Sequence, residues 1–153
     1  MRIETVLIVY QHTRILLALK KKKFGIGKYN GFGGEVEKGE TLEQAASREA
    51  FEEGNIHVIN PERMGEILFQ FEDGEQDHHV HFFRANEYRG EPTEQDEMKQ
   101  EWFDVAQIPY DRMWSDDRYW LPLLLEGKKF RGHFVFNKQR EISRCKLEEV
   151  EEL

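Results

Sequence analysis

Apolar residues fall along the chain in short runs of two kinds, and each kind predicts an element. Ile3 to Tyr10 and Ile15 to Leu19 are dense in β-branched and aliphatic side chains. The polar Gln11-His12-Thr13-Arg14 parts them, so they read as two strands of a hairpin. From Thr41 to Glu53 the pattern switches: Thr41 and Gln44 have capping-box spacing, and Leu42, Ala45, Ala46 and Ala50 recur at helical intervals. A helix is expected there, stopping at Gly54-Asn55. Strands follow at Ile56 to Ile59, Gly65 to Phe71, Val80 to Ala85 and Trp102 to Val105, with turns at Asn60-Pro61, Glu72-Asp73-Gly74 and Gly90-Glu91-Pro92. A second helix is expected from about Asp117 to Glu126, with Pro122 in or near its first turn or kinking it. Phe134 to Phe136 and Ile142 to Leu147 read as a closing strand pair. A helix set among strands, with another near the end, predicts an α/β domain in which a mixed sheet is covered by helices on both faces.

Length and charge then limit what such a domain can do. At 153 residues the chain can bury one real core, so a single domain over 1–153 is expected. The longest apolar runs stop at five residues, far short of the ~18 a membrane helix needs. The run after Met1-Arg2-Ile3-Glu4-Thr5 is also too short for a secretory signal, and a cytoplasmic protein is expected. Cys145 is the single cysteine, so it can make neither an internal disulfide nor a thiolate metal site. A net charge of -8 argues against stable binding to a nucleic acid backbone. It leaves room for a small phosphorylated ligand held by a local cation and metal ions. A monomer is expected.

Two segments carry chemistry. Gly25, Gly27, Gly31, Gly33 and Gly34 fall within ten residues, which marks backbone that turns tightly or admits a close approach. On the first expected helix, Glu49, Glu52 and Glu53 stand at i, i+3 and i+4, which puts three carboxylates on one face. Like charges at that spacing repel, so the face invites a counterion.

Gly34-Glu35-Val36-Glu37-Lys38-Gly39-Glu40, seven residues, and then Arg48-Glu49-Ala50-Phe51-Glu52-Glu53-Gly54-Asn55-Ile56 resembles the Nudix box, G-x5-E-x7-R-E-U-x-E-E-x-G-U. Ala50 stands for a larger aliphatic residue and Asn55 for the final glycine; neither change touches a carboxylate. Asn tolerates the left-handed conformation best among non-glycine residues, so the helix can still end there. The resemblance implies the Nudix fold, a mixed sheet sandwiched between helices, and a loop–helix–loop holding Mg2+ (Mn2+ being the other choice) against a diphosphate. Glu49, Glu52 and Glu53 would be its ligands, with the Gly33 carbonyl as a further one by analogy. Mg2+ suits this role because it takes hard oxygen ligands and keeps several waters. Arg48 is expected to orient the carboxylates through ion pairs. Glu97, on the loop before the Trp102 strand, competes with Glu53 as general base and is a further candidate metal ligand.

The likeness runs past the box to the MutT-homologue branch, which hydrolyses oxidised purine nucleoside triphosphates. Lys20 to Gly34, Asp96 to Pro109 and Met113 to Leu125 carry it. Position by position it implies a purine pocket of Thr5, Phe24, Asn30, Phe69, Trp114, Asp116 and Asp117, with Lys20 near the phosphates or the pocket mouth. His78 replaces a methionine of that branch. The residue types fit: Trp114 can stack on a purine for roughly 1–3 kcal/mol, and Asn30 offers both a donor and an acceptor. Asp116 and Asp117, side by side in an apolar pocket, cannot both ionise easily, so one can donate while the other accepts. A pair that moves one proton could take both 8-oxo-guanine and 2-hydroxy-adenine. Lys21 to Lys23 read as a solvated turn. His78, His79 and His81 suggest zinc, yet only His79 and His81 would share a strand face and no cysteine assists them, so zinc is not expected.

The expected activity is Mg2+-dependent hydrolysis of an oxidised purine nucleoside triphosphate to monophosphate and pyrophosphate. The competing readings are a Nudix pyrophosphatase for another substrate, such as ADP-ribose, and a non-catalytic nucleotide- or RNA-binding module.

Overall fold

The computed structural model describes all residues from Met1 to Leu153. Strands β1 (Arg2–Gln11) and β2 (Arg14–Lys20) form the expected antiparallel hairpin, with Val9 opposite Leu16 and Tyr10 opposite Ile15. The glycine-rich segment then contributes two strands where only turns were expected, β3 (Tyr29–Asn30) and β4 (Phe32–Glu35). Helix α1 (Leu42–Gly54) follows, capped as its sequence implies. The Thr41 hydroxyl accepts from the Gln44 amide at 3.1 Å, and the Gln44 side chain accepts from the Thr41 amide at 2.9 Å. Asn55 takes the left-handed conformation, φ 59°, and closes the helix by donating its N–H to the Phe51 carbonyl.

The remaining elements are β5 (His57–Ile59), β6 (Glu62–Phe71), β7 (His78–Ala85), β8 (Glu87–Arg89), β9 (Met98–Asp104), α2 (Asp117–Leu125), β10 (Phe130–Phe136) and β11 (Ile142–Glu149). Glu87–Arg89 was not expected as a strand; it pairs with β5 in a separate two-stranded sheet. Pro122 stands at the sixth position of α2, past the first turn, where its ring removes the donor for the Arg118 carbonyl.

Nine strands form one mixed sheet. Its order is β11-β10-β6-β7-β1-β2-β3, with β4 added to β1 and β9 to β2. β1 with β7 and β6 with β10 run parallel, and the other neighbours antiparallel. Residue alternation assigns the two faces. Leu7 and Val9 of β1 and Leu16 and Ala18 of β2 pack with Ala46 and Ala50 of α1. Ile8, Ile15 and Leu17 point the other way and pack with Trp120, Leu121 and Leu124 of α2. Central strands therefore read as continuous apolar runs because both faces are buried, each large aliphatic side chain contributing roughly 1.5–3 kcal/mol. The expected α/β/α layering is what forms, with α1 and α2 on opposite faces.

Candidate active site

β4 and α1 build the acidic half of the site. β4 lies antiparallel on β1, with Val6 opposite Gly33 and Thr5 opposite Gly34. A Cβ at Gly34 would lie 2.6 Å from Glu49 Oε1, so only glycine lets the strand pass this close to the helix carboxylate. The Gly33 amide donates to Glu53 Oε1 at 2.9 Å, which ties the end of α1 to the strand. Gln100 of β9 donates to the Glu53 carbonyl at 2.6 Å from the other side.

Arg48 organises the rest. Its guanidinium donates to Glu40 at 2.7 and 3.0 Å, to Glu49 at 2.9 Å, to Glu52 at 3.2 Å and to the Glu35 carbonyl at 3.1 Å. One planar fork thus links the loop to the helix face, and the bond from Arg48 holds Glu40 below the usual carboxylate range. Two of the carboxylates are in the opposite condition. Burial pushes Glu49 up, opposed by Arg48. Burial also pushes Glu53 up to about 8, assisted by the charge of Glu49 and opposed by the Gly33 amide and Lys20. A divalent cation would offset the cost of ionising both, and the donor set is all hard oxygen.

Glu97 stands differently. It is a half-exposed partner of Lys23 at 2.5 Å, and the bond from Lys23 lowers its pKa. Lys21 and Lys22, expected to be solvated, pair with Glu94 and Asp96 at 2.5 and 2.8 Å, so three ion pairs fasten the β2–β3 loop to the loop before β9. Lys20 is close enough to favour the ionised forms of both Glu53 and Glu97.

The other expected residues gather in groups on the α2 side. Phe24 lies stacked on Trp114, ring centroids 5.4 Å apart at 24°, with the Lys28 ammonium 5.0 Å from the indole centroid. Phe24 is 77% exposed, so this stack faces solvent. Asp116 and Asp117 are buried together at the start of α2, 8% and 6% exposed. Burial raises both pKa values, and the charge of Asp116 raises Asp117 further. Trp120 Nε1 donates to Asp116 Oδ2 at 2.9 Å. That partner was not assigned from sequence, although its i+4 spacing from Asp116 put it on the same helix face.

Phe69 packs among Phe134 and Phe136, and His78 lies opposite it on β7. His78 Nδ1 meets Glu4 at 2.8 Å and its ring abuts Phe71 edge-on. Thr5 and Asn30 fall elsewhere in the alternation. Thr5 lies opposite Gly34 and His81, and its buried hydroxyl has no hydrogen-bond partner. Asn30 lies opposite Ala18 and donates to the Lys28 carbonyl at 3.2 Å.

A mixed sheet lies between two helices, with a carboxylate-bearing loop and helix on one face and a buried acid pair on the other, a set of hard oxygen donors suited to a divalent cation and a phosphorylated ligand. The Nudix domain model matches residues 1–124, and the chain belongs to the Nudix family, as a hydrolase. Enzymes of this family use a divalent metal ion. The chain is 48% identical over 149 residues to the oxidized purine nucleoside triphosphate hydrolase of Danio rerio, covering 97% of this chain and 96% of that protein. It is 45% identical to the mouse protein of the same name over 150 residues, covering 98% and 96%. Among solved structures, the mutator MutT protein of Bacillus halodurans superposes with a TM-score of 0.85 at 27% identity, covering 97% of this chain and 98% of that one.

Proposed function

We propose that this Nudix hydrolase cleaves oxidised purine nucleoside triphosphates to monophosphate and pyrophosphate, with Mg2+ (or Mn2+) as its metal, and so cleanses the nucleotide pool. The buried Asp116–Asp117 pair beside the Phe24–Trp114 stack carries the reading, because two carboxyls that share a proton can both donate to and accept from a purine edge. The names of the Danio rerio and mouse relatives support it.

Glu49, Glu52 and Glu53, with the Gly33 carbonyl, are assigned to the metal, and Arg48 to holding their geometry. Mg2+ bound there would offset phosphate charge and help orient the attacking water at the β-phosphorus. Glu53 is the better candidate for general base, because it stands on α1 among the carboxylates assigned to the metal, whereas Glu97 is half-exposed and paired with Lys23. Glu97 then serves to hold Lys23 or as an outer metal ligand. Lys20 is assigned to the phosphates; Phe24, Trp114 and Phe69 to the purine faces; Thr5, Asn30, His78, Asp116 and Asp117 to its edge and sugar. The same proposal has a monomer of one domain, working in the cytoplasm on free nucleotides and without stable binding to nucleic acid. No helix is long and apolar enough to cross a membrane.

The test is pyrophosphate release with Mg2+ from 8-oxo-dGTP, 2-hydroxy-dATP, N6-methyl-dATP, dGTP, dATP and ADP-ribose, with Glu53→Gln as control. Selective turnover of modified purines, lost in the control, is expected. Turnover of ADP-ribose alone would overturn the assignment of the Trp114 to Asp117 segment.

A further inference from the structure

On the α1 side of the sheet, beside the half that α1 covers, β6 and β7 bring together three groups that sequence spacing did not join. Glu66 of β6 lies directly opposite His81 of β7, and His79 projects from the same face two residues earlier. The His79 and His81 rings are 4.3 Å apart between centroids. His79 Nε2 is 3.7 Å and His81 Nδ1 is 3.9 Å from the same oxygen, Glu66 Oε2, and one ligand atom from each of the three residues lies within 4.8 Å of the others. Ligands bound at about 2.0–2.2 Å around one tetrahedral ion sit about 3.3–3.5 Å apart, so each imidazole nitrogen needs to approach Glu66 Oε2 by only a few tenths of an ångström, while the two imidazoles close on each other from a separation of at most 4.8 Å.

A cation already marks the spot. Arg63 Nη2 donates to Glu66 Oε2 and to His81 Nδ1, each at 2.8 Å. A guanidinium can only donate, so His81 presents its Nδ1 lone pair to the point that Glu66 Oε2 faces. Arg63 holds this position imperfectly, since its Nε is buried without a partner. Arg131 binds the other carboxylate oxygen, Oε1, at 2.8 Å, fixing the orientation of Glu66 while leaving Oε2 for an ion. Glu66 and His79 line a groove of ≈ 380 Å³ together with Arg131 and His133, and His81 is buried beside Glu66.

We infer that Glu66, His79 and His81 form a second divalent-metal site, separate from the box carboxylates and selective for an imidazole-preferring ion of the Zn2+, Co2+ or Ni2+ class, which enters by displacing the Arg63 guanidinium. Two neutral imidazoles and one carboxylate suit such ions, whereas the all-oxygen box suits Mg2+. Sequence spacing left His79 and His81 on one strand face, with His78 on the other and no third ligand in view; the third ligand of the proposed site is Glu66, thirteen residues from His79 and brought near by strand pairing.

The test is titration of the full chain with Co2+ in a large excess of Mg2+, read by the visible absorption of imidazole-bound Co2+ and repeated with Zn2+ as competitor. One equivalent is expected, displaced by Zn2+. His79→Ala should lose affinity on the order of 100-fold with an unchanged far-ultraviolet circular dichroism spectrum. Arg63→Met, which removes the competing cation, should tighten binding. Absence of Co2+ binding under excess Mg2+, an unchanged affinity in His79→Ala, or weaker binding in Arg63→Met would each overturn the site.

Discussion

Glu53 is where the local chemistry is most exposed to test. Its carboxyl is an ordinary acid near 4.5 in an unfolded chain and is pushed up to about 8 in the folded metal-free protein, chiefly by burial. Between those values the folded state binds the extra proton, so the stability of the metal-free protein falls as pH rises from about 4.5 towards 8. Glu53→Gln keeps an oxygen for the Gly33 amide and removes the charge. In the presence of a chelator it is expected to raise the melting temperature little at pH 5 and clearly at pH 8, by an amount equivalent to a few kcal/mol. A divalent ion should reverse the order, stabilising the native chain more than the variant. Differential scanning calorimetry at both pH values, with and without metal, checks this; equal melting temperatures at pH 8 with chelator would mean that Glu53 ionises there at no cost. The carboxylates themselves were legible in the sequence because i, i+3 and i+4 spacing on a helix is a local property. The uneven burial of Glu52 and Glu53 was not, since it depends on β4 and β9 closing over one side of α1.

Among the elements, legibility followed the same division. α1 was readable to within a residue because its cap, Thr41 with Gln44, and its stop at Asn55 are local signals. β4 was not, because its glycines are there for clearance and read locally as a turn, and β3, only Tyr29–Asn30, is too short to show an alternation of its own. A Cβ at Gly33 would collide with the Thr5 carbonyl on the paired strand, and one at Gly34 with Glu49. β8 escaped notice for a related reason: three residues with no apolar pattern become a strand only by pairing with β5. The clearance argument has a consequence at Gly34. Gly34→Ala places a methyl group 2.6 Å from the present position of Glu49 Oε1, which must move, while the strand backbone needs no left-handed conformation. The expected outcome is a roughly 10–100-fold rise in the Mg2+ concentration needed for half-maximal activity, with the fold retained. Mg2+ dependence of turnover, alongside thermal unfolding in chelator, checks it. A variant that unfolds more readily yet keeps its Mg2+ dependence would show that the glycine serves packing and not the metal ligand.

Over the whole molecule, the sheet separates two tasks by giving each face its own helix. α1, anchored by Ala46 and Ala50 against Leu7, Val9, Leu16 and Ala18, carries the acids proposed for the metal; α2, anchored by Trp120, Leu121 and Leu124 on the other face, begins with the acids proposed for the base. The resemblance carried by the box and by Trp114 to Trp120 was legible from spacing, but this division needed the strand order, in which parallel pairing of β1 with β7 sets the centre of the sheet. Separate helices imply separable losses. Asp116→Asn retains an acceptor for Trp120 Nε1 and removes one of two carboxyls that compete for a proton, so Asp117 then ionises without a like charge beside it. The ratio of kcat/KM for 8-oxo-dGTP to that for 2-hydroxy-dATP is expected to change about tenfold or more, one bidentate hydrogen-bond pattern being worth roughly 1–3 kcal/mol. The same ratio should vary with pH in the native chain, where burial holds the pair's pKa values high, and vary less in the variant. Glu53→Gln should instead lower kcat on every substrate by roughly 10²–10⁴-fold and leave the ratio unchanged. Steady-state kinetics on the two substrates from pH 6 to pH 9 distinguishes these outcomes: equal losses on both bases for Asp116→Asn would place that carboxyl in the support of α2 and take base reading away from it.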